Sequence, residues 1–304
     1  MKIINVNILL AMIPAFLWGT TYAVTQYTLA DWPPLLLGAI RALPAGLILL
    51  AVKPSLPKKA DWKILCGLGA INIAAFFSMI FVMSLTLPSA ISSVGMVSVP
   101  VFAMLYHWLV NKQRPGLVQA LCGAALIVLA WLLFDPSSLS LNPLGLAAIL
   151  AAITCIVIGS SITKSLGDRM HWWTVLTWQL IIGGVILTLL FGIHGVVAPT
   201  KYIAAINNFS MTNLSGILWV VLLNTALGYS LYVWLLQRMS VVDFTFGGIA
   251  NPIAGILTGL VLLGETFTPL QYSLMVGMIV MPLLPQIIIT TLRSRAVPAK
   301  CEVN

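Results

Sequence analysis

The chain reads as an all-α membrane protein of ten transmembrane helices arranged as two inverted five-helix repeats, and three observations lead there. Of its 304 residues 60% are hydrophobic and only 7% charged, against about 25% charged in ordinary soluble proteins. Apolar runs of near-spanning length follow one another along the whole chain, and the hydrocarbon core asks for about 20 residues per helix. A stretch in the second half also repeats one in the first at a constant offset of 152 positions. Asn72 matches Asn224, Ala74 matches Ala226, Ser78 matches Ser230, Gly95 matches Gly247, Pro100 matches Pro252, Leu105 matches Leu257 and Gln119 matches Gln271, without a gap.

The runs lie near 8–29, 34–52, 63–83, 89–110, 116–134, 143–163, 173–192, 214–236, 244–263 and 269–290. The loops between them are mostly short, which leaves no room for a soluble catalytic or nucleotide-binding domain. No Gly-x4-Gly-Lys-Ser/Thr motif is present, so no built-in ATPase is expected. The net charge of +8 could suggest a nucleic-acid partner, but its placement points to topology. With the N-terminus inside, Lys2, Lys53, Lys58, Lys59, Lys63, Lys112, Arg114, Lys164, Arg169, Arg238, Arg293, Arg295 and Lys300 all fall on the cytoplasmic side, and Lys201 alone falls outside. The positive-inside rule then puts both termini in the cytoplasm. Cys66, Cys122 and Cys155 fall within spans and Cys301 on the tail, so no disulfide framework is expected. Lys2 and the apolar run behind it resemble a leader, but Phe16-Leu17-Trp18-Gly19 lacks the small residues of a cleavage site, and the first span is expected to stay.

In the first span Trp18, Tyr22 and Gln26 recur at helical spacing on one face. That face either lines a cavity or belongs to an interfacial aromatic belt. Trp32, Trp62, Trp108, Trp172 and Trp173 stand at span ends, where amphipathic rings anchor at headgroup level. Arg41 is the one charge inside a span, about seven residues from its outer end. Either it meets an anion, carbonyls or water in the interior, or it snorkels toward Asp31 at the surface. Lys53-Pro54-Ser55-Leu56-Pro57 ends the second span.

Asn72 and Asn224 occupy the third and eighth spans near mid-membrane. An amide there joins helices or faces a wet cavity. Tyr229, Tyr232 and Trp234 follow Asn224 on its span. Pro100 and Pro252 interrupt the fourth and ninth spans and push away the carbonyls of Met96 and Gly248, among Ser92, Ser93, Gly95 and Ser98 in one span and Gly247, Gly248 and Gly255 in the other. Matched interruptions in two halves point to a transport site. Gly255-xxx-Gly259 permits close helix contact. The fifth and tenth spans, polar only at Gln119 and Gln271, read as braces. The sixth span offers Gly159-Ser160-Ser161, and the seventh offers Gln179, which matches Arg41 at an offset of 138. Residues 193–213 read as one long outer loop.

Five spans per half is an odd number, so the second copy enters the membrane the opposite way up. Inverted repeats supply two alternative gate arrangements around one midplane site, which argues for a carrier. The expected units are 1–138, 139–292 and a cytoplasmic tail, 293–304.

Thr225-Ala226-Leu227-Gly228-Tyr229, then Pro252, then Leu263-Gly264-Glu265-Thr266-Phe267-Thr268-Pro269-Leu270-Gln271 resemble the second repeat of EamA-type transporters of the drug/metabolite transporter superfamily. Trp18-Gly19, Arg41 and Trp178-Gln179 are similar to that family's first, second and seventh spans. The resemblance implies a ten-helix carrier of the bacterial inner membrane, commonly an exporter of amino acids, metabolites or drugs. Two departures are visible: Lys112-Gln113 replaces the first-half Gly-Glu, and the sixth span lacks a Trp.

A secondary carrier is therefore expected, with Trp18, Tyr22, Arg41, Asn72, Asn224 and Tyr229 as substrate-binding residues and Pro100 and Pro252 shaping the gates. A passive channel or a non-transporting membrane subunit stays open as the alternative. An intramembrane enzyme is not expected, because no span interior holds Asp or Glu and His107 is the one span histidine. No cofactor and no metal are called for. Expected partners are a small-molecule substrate and the bilayer, with a homodimer left open and no nucleic acid.

Overall fold

With no water at bilayer depth to take up backbone hydrogen bonds, an apolar chain resolves into helices. The structure, a computed structural model, describes residues 6–134, 140–166, 169–236 and 247–288. Among the described residues ten apolar helices of 12 or more residues follow in order: α1 Val6–Leu29, α2 Pro34–Val52, α3 Lys59–Thr86, α4 Ser89–Asn111, α5 Leu117–Leu133, α6 Pro143–Leu166, α7 Trp172–Val197, α8 Met211–Leu235, α9 Ala250–Leu263 and α10 Pro269–Val280. Six of them, α2, α3, α4, α6, α7 and α8, are each long and apolar enough to cross a membrane. Lys2, Arg238, Arg293, Arg295, Lys300, Cys301 and the tail lie outside the described residues.

Charge separates the two ends of the bundle. Arg169 pairs with Asp61 at 3.0 Å. Beside that pair, the indole nitrogens of Trp173 and Trp178 donate to the carbonyls of Lys53 and Ser55 at 3.0 and 2.7 Å. This is the basic end, and Asp31, Lys201 and Glu265 stand at the other, here the Glu265 end. α1 runs from the basic end to the Glu265 end. Its counterpart α6 runs back, from Gly145 against Thr86 and Leu87 to Leu166 in a cluster with Leu65 and Met170.

Four sets of matched features express the duplication in three dimensions. α3 opens into a π-helical segment at Gly69–Ala75 and α8 at Trp219–Leu227, with Asn72 in one and Asn224 in the other. Gln119 accepts from the Gly116 amide and Gln271 from the Thr268 amide, at 3.1 and 2.8 Å, so these matched glutamines cap α5 and α10. Gly95 packs against Ile149 and Gly247 against Ala11. These contacts join positions 152 apart on one side and 138 apart on the other, the same 138 that separates Arg41 from Gln179. Finally, α4 and α9 end alike: the amides of Gln113 and Glu265 bond the carbonyls of His107 and Gly259 at 3.2 and 3.1 Å, behind a left-handed residue, Lys112 (φ 56°) or Gly264 (φ 66°).

Three expectations are corrected. Residues 193–213 are mostly helical: α7 continues to Val197, and a short helix, Pro199–Asn207, turns Tyr202 and Ala205 inward. Trp32 is not a belt residue, because that helix and Leu36, Leu37 and Phe81 bury it to 6% exposure. The matched prolines differ in surroundings: Pro252 is buried in α9, whereas Pro100 is exposed just past a 3-10 turn at Met96–Ser98. The apolar side chains that remain exposed, such as Leu121, Val128 and Trp131 on α5 and Leu189 and Ile193 on α7, suit a surface facing lipid.

A left-handed conformation costs a side-chain-bearing residue roughly 1–2 kcal/mol that glycine avoids. Lys112→Gly is therefore expected to raise stability by about 1 kcal/mol, read as an upward shift in thermal denaturation in detergent. No shift, or a fall, would contradict the matched helix ends.

Candidate functional site

The polar residues expected at the site gather where α1, α2, α3 and α8 meet. Arg41 is 3% exposed, its Nε donating to the Thr225 hydroxyl at 2.9 Å. Its guanidinium lies 4.3 Å from the Phe77 ring centre and 5.9 Å from that of Phe81. Cation–π contact of this kind partly replaces lost hydration. Among the described residues the one ion pair is Arg169–Asp61, so no carboxylate neutralises Arg41. The snorkelling alternative is thereby excluded. Tyr22, 3% exposed, lies in the same packed cluster as Phe77 and Tyr229.

Trp18 carries the aromatic side of the cluster. Its indole nitrogen donates to the Asn224 carbonyl at 2.9 Å. Its ring meets Tyr229 and Tyr232 at centroid distances of 4.9 and 5.1 Å, and Tyr229 in turn meets Phe77 at 6.2 Å. The carbonyl that Trp18 reaches belongs to the π-helical segment, where the widened turn disturbs the ordinary ladder. Such segments are rare and frequent at functional sites. The Asn224 amide donates to the Thr21 hydroxyl at 2.7 Å. Gly19 lies so close to the Asn251 carbonyl that a Cβ there would collide with it, which seats α1 on α9 beside Pro252.

Asn72 stands across the bundle, its amide donating to Gln179 Oε1 at 3.0 Å. With Arg41 on Thr225, this completes a symmetric arrangement. α2 of the first repeat bonds the π segment of α8, and α7 of the second bonds the π segment of α3. Among the described residues the Oδ1 atoms of Asn72, Asn224 and Asn251 are buried and accept no hydrogen bond, and leaving such a group unpaired costs about 1–3 kcal/mol.

Trp18 thus contacts Asn224 and Tyr229 directly, Arg41 joins Tyr229 through the Phe77 ring, Tyr22 packs in the same cluster, and Asn72 stands apart on Gln179. Thr225, Phe77, Thr21 and Gln179 belong with them. The 138 offset had already singled out Gln179 as the match of Arg41, and Thr225 adjoins Asn224. Phe77 carries no polar signal. At the Glu265 end, Glu265 accepts from the amides of Ser89 and Ala90 at 2.5 and 3.1 Å, and Ser89 Oγ donates to the Gly255 carbonyl at 3.1 Å.

Residues 5–134 and 143–283 each match the EamA-like transporter family. The chain belongs to that family. It is 32% identical over 260 residues to the protein PecM of Dickeya dadantii, covering 84% of this chain and 83% of that one. It is 28% identical over 300 residues to the uncharacterized inner membrane transporter YedA of Escherichia coli K12, covering 93% and 90%. It is 25% identical over 275 residues to a protein of Salmonella typhimurium named as a probable amino-acid metabolite efflux pump, covering 87% and 89%. A solved structure superposes with a TM-score of 0.58 at 17% identity, over 92% of this chain and 98% of its own, a likeness of fold. This EamA-like protein is accordingly a multi-pass membrane transporter and not an enzyme, and a transporter implies a small-molecule substrate.

Two outcomes follow from the site. A buried charge without a counter-charge contributes little to folding, and replacing it by an apolar residue of similar size is often neutral or stabilising. Arg41→Met is expected to melt at or above the wild-type temperature in detergent, while Thr225→Val, which strands Nε, loses about 1–3 kcal/mol. A large loss in Arg41→Met would make Arg41 a brace. For Glu265, burial pushes the carboxyl above its ordinary value, and the amide bonds from Ala90 and Ser89 pull it partly back. The seated carboxyl thus holds its proton more tightly than a solvated one, so its contribution to stability is present in acid and is lost as pH rises through the raised value. The melting temperature is expected to drop more from about pH 5 to about pH 8 in wild type than in Glu265→Gln. Equal slopes would remove the effect.

Proposed function

We propose that this EamA-like protein is a secondary-active exporter of small amphipathic metabolites that carry an anionic group, amino acids or close relatives among them, working by alternating access. Both termini are read as cytoplasmic in a bacterial inner membrane, the basic end being the cytoplasmic one. Residues 1–138 and 139–292 are read as the two repeats, and 293–304 as a tail. The observation that carries the reading is Arg41, a guanidinium with no acidic partner among the described residues, held over the Phe77 ring that Tyr229 also meets, with Trp18 behind Tyr229. A carboxylate would supply the missing charge and an apolar or aromatic body would lie against the rings, while the Oδ1 atom of Asn224, which has no donor among the described residues, would accept from an ammonium or amide. The name of the Salmonella relative, which mentions amino-acid metabolites, supports the same class.

The measurement is accumulation of radiolabelled amino acids into inside-out membrane vesicles, with the gradient of the substrate opposed. Saturable uphill uptake is expected, and its loss in both Arg41→Met and Arg41→Lys at equal abundance, because a planar five-donor fork is not replaced by an ammonium. Flux that only runs downhill and does not saturate would mean a channel, and wild-type rates in both variants would remove the anionic group.

A further inference from the structure

α2 and α3 are joined by Lys53-Pro54-Ser55-Leu56-Pro57-Lys58, and this run is laid along the start of α7 instead of standing free. The indole nitrogens of Trp173 and Trp178 donate to its carbonyls at Lys53 and Ser55. Trp178 also meets the Trp62 ring edge-on, with centroids 4.9 Å apart. The Asp61 amide bonds the Lys58 carbonyl at 2.9 Å, and the Asp61 carboxylate holds Arg169. Trp173 and Trp178 are five residues apart, about 7.5 Å along a helix axis. One short length of α7 therefore gathers the chain from Lys53 to Trp62, with Arg169 beside it.

The gathered surface is strongly positive. Lys53, Lys58, Lys59, Lys63 and Arg169 stand against Asp61 and, with the sequence neighbour of Arg169 counted in, Asp168, so five cations less two acids leave a net charge of three. Asp61 is buried under Arg169, whereas the four lysines and Arg169 are exposed. Lys59 and Lys63 follow each other about one turn apart on α3 and share a face. Apolar side chains stand among these charges: Val52 is 70% and Leu56 81% exposed. Leu56 is fixed between two prolines, and the carbonyl just before it is tied to Trp178. A leucine held outward in water gains nothing. In the headgroup layer of a bilayer the same side chain leaves water, and the indoles of Trp62, Trp173 and Trp178 lie at the depth such rings favour.

We propose that this surface is a binding site for an anionic phospholipid, its phosphate held among Lys53, Lys58, Lys59, Lys63 and Arg169 and its acyl chains lying against Leu56 and the end of α2. Basic residues just outside a span each strengthen attraction to an anionic lipid surface by about fivefold. A free phosphate or an acidic peptide would use the lysines and not Leu56. A lipid phosphate that touches both the α2–α3 run and Arg169 favours the arrangement in which Asp61 and Arg169 are clasped. The site does not depend on what the chain carries.

For the test, the full chain in a neutral detergent is titrated with phosphatidylglycerol or with phosphatidylcholine of the same acyl chains, and bound lipid is counted by native mass spectrometry. Phosphatidylglycerol is expected to bind more tightly by about tenfold or more. Lys53→Gln, Lys59→Gln and Lys63→Gln together are expected to erase that preference, and the same three positions changed to Arg to keep it. Equal charge removed elsewhere at the basic end, by Lys112→Gln, Arg114→Gln and Lys164→Gln, is expected to leave it within about twofold, because those residues lie off the surface that α7 gathers. Leu56→Gln, which keeps every charge, is expected to weaken phosphatidylglycerol by about fivefold. Equal losses from the two triple variants would mean diffuse attraction to the whole basic end and would overturn the site. Displacement of the lipid by equimolar inorganic phosphate or by a glutamate-rich peptide, or wild-type binding in Leu56→Gln, would overturn the lipid as its occupant.

Discussion

Polar groups at bilayer depth must find their partners inside the protein, and in this EamA-like chain the partners lie in the other repeat. Lipid offers neither water nor counter-ion. Arg41 of α2 is held by Thr225 of α8, Asn72 of α3 by Gln179 of α7, and Trp18 of α1 by the Asn224 carbonyl. Neither half satisfies its own polar residues in these contacts. The repeats are interlocked, and the interlock sits where the π-helical segments open.

Small residues make that interlock possible. Without a hydrophobic force between helices in lipid, close backbone approach supplies the contact energy. Gly19 on Asn251, Gly255 on Ser93, Gly159 on Asn72 and Gly183 on Ile73 each occupy a place where a Cβ would strike its neighbour. The tight crossing of α1 on α9 fixes Trp18 against α8, and the crossing of α6 on α3 places Asn72 toward Gln179. Strain at Lys112, the Oδ1 atoms without donors, and an uncompensated guanidinium all cost stability. They lie at the cluster and at the end of α4.

Much of this was legible in the chain because duplication and lipid both write strong signals. The gapless offset paired Asn72 with Asn224 and Gln119 with Gln271, and in the fold each pair takes the same structural position. Loop charge separated the ends of the bundle in advance. What stayed hidden has physical causes. A π-helical segment leaves no mark in hydropathy, since it alters hydrogen-bond register and not composition. The helix Pro199–Asn207 was lost among polar Asn207, Asn208 and Thr212 because its inward face consists of only Tyr202 and Ala205. Burial of Trp32 depends on that same helix. The choice between a buried and a snorkelling Arg41 turned on Phe77 and Phe81, ordinary apolar residues whose spacing says nothing of a cation above them. Equal spacing also hid the difference between Pro100 and Pro252, because sequence repeats carry position and not exposure.

The proposed carrier reading requires that the interlocked site be reached from the basic end and from the Glu265 end in alternation. Pulsed electron spin resonance between labels at Asn111 of α4 and Ser165 of α6, at the basic end, and between their matches Leu263 of α9 and Tyr27 of α1, at the Glu265 end, tests it in lipid vesicles. The account requires two populations with opposed distances, so that conditions lengthening one pair shorten the other. Distances that move together, or a single population unchanged by substrate, pH or the Glu265→Gln substitution, would contradict it.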